Sequence, residues 1–151
     1  DQRGRRVWSR GRKDGLLRPP GLAVGADRVY VADTLAHRIV SISFTGTMLG
    51  QFGEHGSAPG QLNFPTNVAL GADGHVFVTD AMNFRIAEFD HAGRFIGVFG
   101  RPGDGSGDFD KPKGVTVDGD GHVYVVEGNH VFVTDTSNRR IEIFEYVPEG
   151  R

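Results

Sequence analysis

Apolar and polar residues alternate in short runs along the whole chain, and each run ends at a glycine-bearing turn. LAV at 22–24, VAL at 68–70 and VTV at 115–117 open three similar units. In the first two units VYVAD at 29–33 and HVFVTD at 75–80 follow, then RIVSI at 38–42 and RIAEF at 85–89, then MLGQFG at 48–53 and FIGVFG at 95–100. A period of two, carried by β-branched and aromatic residues, predicts half-buried strands. GAD, GADG, TG and HAG between the runs predict the turns that reverse them. No stretch keeps a helical period, so no long helix is expected.

The units repeat. Val31, Val78 and Val125 stand 47 residues apart each time, as do Asp33 and Asp80, and Phe52 and Phe99. Four short strands per unit at this period predict an all-β, propeller-like chain of about three four-stranded blades. The first blade is read over 19–53, the second over 64–100 and the third over 111–147. Within these frames stand Asn83-Phe84-Arg85-Ile86 and Asn138-Arg139-Arg140-Ile141, with Ala36-His37-Arg38-Ile39 departing in the first unit. Together with P-x-G-x-A-V, V-Y-V-A-D and a closing V-F-G, they make each unit resemble an NHL repeat, over roughly residues 7–147. The resemblance implies a six-bladed ring, a binding or scaffold role and, by the habit of bacterial chains of this kind, export from the cytoplasm. It names no ligand.

The ends and the third unit depart from regularity. Val7-Trp8 aligns with Val98-Phe99, so residues 1–18 are expected to include the outer strand of a missing or partner blade. The third unit carries the second-strand motif twice, at 122–127 and 130–135, and its RIEIF run at 140–144 is read as a third strand with no fourth. Residues 122–135 are either a native hairpin turning at Gly128-Asn129 or a splice of two blades. Three blades cannot close a channel, so the expectation is an open arc, a fragment or a homodimer completing a six-bladed ring.

Composition changes the picture in three places. Glycine is 23 of 151 residues, as a turn-rich fold demands. Cysteine is absent, which excludes disulfides, thiolate metal sites and cysteine nucleophiles. The net charge of −2 hides an uneven spread: residues 1–18 carry seven basic and two acidic side chains. Arg3, Arg5, Arg6, Arg10, Arg12 and Lys13 of that segment could meet nucleic acid, a reading weakened by the acidic body. No run is long and apolar enough for a membrane helix.

The candidate chemistry is sparse. Asp33, Asp80 and Asp135 each precede an arginine by five residues, namely Arg38, Arg85 and Arg140, and read as structural loop pairs. His75, His122 and His130 recur before strand valines and carry no metal-ligand spacing, and no nucleophile or phosphate-loop motif occurs. Asp104 to Asp110 resembles the start of a calcium loop but lacks its glycine and its closing glutamate, and Asp118-Gly119-Asp120-Gly121 reads as a hairpin turn. No catalytic residue, metal or cofactor is therefore assigned. Recognition is placed on the loops after the second strands, where His37, Phe84 and Arg139 vary at one position and Leu35, Met82 and Ser137 at another, with Asn67 beside them on an inner strand. The expected function is recognition of a protein, peptide or small ligand on this loop face. The alternatives are a channel-site lyase or hydrolase and RNA binding through the basic segment.

Overall fold

A computed structural model describes residues 4, 6–103, 105, 107–128, 130–135 and 140–145, the backbone alone at 134, 135 and 140–145. Twelve strands form three antiparallel four-stranded sheets, each a simple meander. The first holds β1 (Gly21–Val24), β2 (Arg28–Asp33), β3 (Arg38–Ser43) and β4 (Met48–Phe52). The second holds β5 (Pro65–Leu70), β6 (Val76–Asp80), β7 (Arg85–Phe89) and β8 (Phe95–Phe99). The third holds β9 (Gly114–Val117), β10 (Val123–Glu127), β11 (His130–Asp135) and β12 (Arg140–Glu145). The only helical elements among the described residues are single 3-10 turns at 12–14, 34–36 and 81–83. The architecture is a partial β-propeller.

Blades stack by burying alternate strand residues against their neighbours. Tyr30, Ala32 and Ile39 of the first sheet share one core with Val68, Val76, Val78 and Phe89 of the second. Ala69, Phe77 and Ile86 of the second meet Val115, Val125 and Phe132 of the third in another. The valine, isoleucine and phenylalanine side chains among them contribute about 1.5–3 kcal/mol each when fully buried. The linker into each blade inserts one apolar plug: Leu16, Leu62 and Phe109, none more than 4% exposed.

The third blade corrects the sequence reading. The duplicated motif at 130–135 supplies the third strand, and RIEIF becomes the fourth, so the sheet is complete by strand count. One extra strand inverts the direction of everything after it. Glu127 now faces His130 across the sheet, in the register where Asp33 faces Arg38 and Asp80 faces Arg85. Asp135 and Arg140 pair across β11 and β12 at the opposite end, so they are not the third member of that series.

Residues 6–11 carry no strand, so the outer strand expected there is not formed among the described residues. Trp8 nevertheless packs on Gly46 of the β3–β4 turn as Phe52 packs on Gly93 one blade later. Its indole N–H donates to the Phe44 carbonyl at 2.8 Å.

Candidate functional site

The loops after β2 and β6, the linkers and the starts of the inner strands share one face. Two buried carboxylates fix it. Asp33 accepts the backbone N–H groups of Leu17 and Arg18, both at 2.9 Å, on one oxygen and the Arg38 guanidinium on the other. Asp80 accepts the Asn63 N–H at 2.6 Å on one oxygen, and Asn83 Nδ2 at 2.8 Å and Arg85 Nε at 2.7 Å on the other. Arg85 then donates to the carbonyls of Ser57 and Gln61 in the linker. Glu127 takes the N–H groups of Asp110 and Lys111 in the third blade. These carboxylates are engaged by donors from the chain itself, so they clamp the linkers.

Each 3-10 turn on this face ends in a left-handed residue, His37 at φ 53° and Phe84 at φ 55°. His37 turns its ring into the linker. Its Nδ1 accepts the Phe64 N–H at 3.1 Å, which puts the neutral ring's proton on Nε2. The rings of His55 and Phe64 lie 4.3 and 4.6 Å away, centre to centre. Burial, and then the neighbouring His55, hold the His37 pKa below its ordinary value, with Asp80 opposing.

Phe84 instead lines a cavity of about 600 Å³, together with Pro20, Thr66, Asn67, Ala81, Met82 and the 110–113 segment. Asn67 sits where the flanking inner strands carry glycine. A β-carbon on Gly21 would stand 3.0 Å from Asn67 Oδ1, and one on Gly114 would stand 3.5 Å from Nδ2. The amide therefore spans space that its neighbours leave open. Its Oδ1 also accepts the Val68 N–H at 2.8 Å. Met82 is 54% exposed at the mouth. Lys111 lies 3.5 Å from Asp110, and Lys113 adds a second ammonium to the lining.

Of the residues chosen from the sequence, Asn67, Met82 and Phe84 meet in this cavity. His37 and Leu35 stand on the same face but outside its lining, and Arg139 and Ser137 lie outside the described residues. The 110–113 segment was missed. Its signal was the lysine pair flanking Pro112, where the linker into the second blade carries Phe64 and Thr66 around Pro65.

The opposite face holds a second cavity of about 540 Å³, lined in part by Tyr30, His91 and Asp118. Asp118, Asp120 and His122 bring ligand atoms within 4.8 Å of one another there. Asp118 is already engaged: Tyr124 Oη, the His122 ring and the His122 and Asp120 N–H groups all reach it. Desolvation would raise its pKa, but these hydrogen bonds outweigh it and lower the value to about 2. The group is a hairpin turn held by its own aspartate. His75 is likewise committed, to Glu88 at 2.6 Å. In the basic segment Arg6, Arg12 and Lys13 are exposed, Arg10 donates to the Gly46 carbonyl, and Arg3 and Arg5 lie outside the described residues.

No protein-family model matches the chain, and no curated protein matches it. Solved propellers do. A virginiamycin B lyase from Staphylococcus aureus is 25% identical, with a TM-score of 0.64 over 87% of this chain and 42% of that one. A chain of a nidogen/laminin complex is 20% identical, with a TM-score of 0.62 over 87% and 48%. The WD40 repeats of RRP9 are 16% identical, with a TM-score of 0.67 over 84% and 38%. The chain thus spans less than half the length of the solved structures it matches, and what it shares with them is the propeller fold.

Proposed function

We propose that the chain is an NHL-type binding module that takes an apolar side chain of a protein or peptide partner on its loop face. The observation that carries this reading is the cavity of about 600 Å³ around Asn67, Met82 and Phe84. It is walled by proline, methionine and phenylalanine, and a single amide reaches across its floor. Few polar groups set in an apolar concavity are the usual make-up of a recognition site. The two lysines at its edge favour a ligand with an acidic residue beside the apolar anchor. The matched nidogen chain belongs to a complex with laminin, which supports protein recognition as a use of this fold.

A second reading, elimination or hydrolysis at the same face, is favoured by the likeness to the lyase. A histidine-to-alanine variant of that lyase is catalytically inactive. Here no histidine lines the cavity, and its titratable lining is Asp110, Lys111 and Lys113. Recognition therefore fits the residues better.

The test is selection of peptides from a displayed random library on the full chain, followed by calorimetry on Met82→Glu and Lys113→Glu. Recovered peptides should share an apolar residue flanked by an acidic one. Met82→Glu should abolish binding, and Lys113→Glu should weaken it. Peptides indifferent to both variants would remove the cavity from the account. Peptide cleavage or elimination seen by mass spectrometry would favour the enzyme. Selective retention of RNA, lost steeply with salt, would favour the basic segment.

A further inference from the structure

The cavity on the loop face is rich in unpaired donors and poor in acceptors. Asn67 commits its Oδ1 to the Val68 N–H at 2.8 Å, and no group among the described residues accepts from its Nδ2. Thr79, its partner across the strands, does not: the Thr79 Oγ1 is itself buried without a hydrogen bond. The ammonium of Lys113 has no ion pair among the described residues, and that of Lys111 lies 3.5 Å from Asp110. Two ammonium groups and an amide thus share the lining with a single carboxylate. The acceptors are engaged from within the chain. The Lys113 carbonyl accepts Thr66 Oγ1 at 3.3 Å, and Asn67 Oδ1 is taken by Val68. The strand itself does not require this amide. Gly21 and Gly114 hold the same register on β1 and β9, opposite Ala32 and Val126, as Asn67 stands opposite Thr79.

We infer that the negative group this site takes is the α-carboxylate of a free peptide C-terminus, with the partner's last side chain as the apolar anchor. The inference rests on the recognition reading above and gives its ligand a chemistry. A carboxylate only accepts, so it answers Asn67 Nδ2 and the lysines without bringing a donor of its own. An internal peptide segment brings an N–H beside each carbonyl, and a buried N–H without an acceptor costs free energy. A C-terminus ends that series of N–H groups. It also carries its charge and its last side chain on the same carbon, which suits a donor amide set among Pro20, Met82 and Phe84. Capture of a terminal carboxylate by converging donors is an established mode of peptide recognition. The charge of the lysines favours an ionised end over a neutral one.

The test presents a random heptapeptide library to the full chain in two formats, one with free C-termini and one with that end fused to the carrier. The leading peptide is then titrated by calorimetry as its C-terminal acid and as its C-terminal amide. The free-ended format should yield the binders, with an apolar last residue. The acid should bind the wild type about tenfold or more tighter than the amide. Asn67→Asp keeps the shape and puts an acceptor in place of Nδ2. It should reverse the preference, because it repels the carboxylate and accepts from the terminal amide. Asn67→Gly, the residue the flanking strands already carry, should fold, as circular dichroism checks, and should weaken the acid about tenfold and the amide far less. Equal affinity for acid and amide, or the same sequences recovered from the fused format, would overturn terminal capture. If Met82→Glu still abolished binding in that case, recognition at the cavity would stand. Peptides indifferent to Met82→Glu, or no peptide from either format, would remove the recognition reading and this inference together.

Discussion

Leu62 closes so tightly on Gly53 that a β-carbon on the glycine would stand 2.6 Å from Leu62 Cδ1. Phe109 presses on Gly100 in the same way one blade later. Both glycines are left-handed, at φ 86° and 85°. The closing glycine of each blade is thus the seat for the plug of its own outgoing linker. Gly53→Ala should destabilise the chain by about 2–4 kcal/mol, the sum of a left-handed backbone penalty and an overpacked contact. Gly97 lies in β8, and a β-carbon there would meet nothing within 4 Å. Gly97→Ala should therefore be neutral or stabilising by up to about 1 kcal/mol. Urea denaturation reads both, and equal losses would show that strand glycine content, not the plug, is what matters.

The carboxylate clamps should rank by burial. Asp80 is fully buried and its partner Arg85 nearly so, with side chains 0% and 12% exposed. Asp80→Ala removes the acceptor of the Arg85 Nε and of two other donors, the Asn63 N–H and Asn83 Nδ2, and should cost about 3–5 kcal/mol. Glu127 holds only backbone N–H groups near the surface. Glu127→Ala should cost about 1 kcal/mol. The comparison is made on urea midpoints at constant slope. A Glu127 effect as large as that of Asp80 would contradict the ranking.

The blades were legible because a strand half-buried on each side writes its period into the residue types, and Val31, Val78 and Val125 carry that period without a gap. The third blade misled for a physical reason. HVFVTD at 130–135 has the composition of a second strand, but a strand's place in a sheet is set by its hydrogen-bonding neighbour, and its neighbour on one side is β10. The 47-residue spacing pointed to Glu127 as the partner of Asp33 and Asp80, while residue type pointed to Asp135. In the third blade the linker N–H groups donate to Glu127, since a backbone N–H can donate to either kind of carboxylate. The cavity was legible only in part. Met82 and Phe84 follow from loop position; Lys111 and Lys113 are visible as a pair flanking Pro112, but they enter the cavity through the way one linker crosses the next blade, which is a long-range relation.

Thr79 carries an unused hydroxyl. Its Oγ1 is buried without a hydrogen-bond partner among the described residues, between blades, where the first blade has Ala32 and the third Val126. Valine matches threonine in shape and removes the unpaired oxygen. Thr79→Val should therefore stabilise the chain by about 1–3 kcal/mol. An unchanged or lowered urea midpoint would indicate that the hydroxyl finds a partner in solution.

His37 should make the linker sensitive to mild acid. Its Nδ1 accepts the Phe64 N–H, and a proton on that nitrogen would meet a donor already pointing at it. Burial and the adjacent His55 lower the folded-state pKa below 6.5, against the pull of Asp80. The unfolded chain keeps the ordinary value, so on acidification it takes the proton first. Between 6.5 and the lowered folded-state value it binds more protons than the folded chain, and stability falls as pH falls. Below that value both states are protonated and the dependence ends. Stability from this group is thus fully present above pH 6.5 and lost on the acid side. Imidazole titration by NMR should place the His37 midpoint below 6.5, and amide exchange at Phe64 should quicken over the same window. His37→Asn, which tolerates the left-handed backbone, should flatten this part of the pH–stability curve. A His37 midpoint at or above 6.5, or an exchange rate at Phe64 that ignores pH beyond its intrinsic dependence, would refute the linkage.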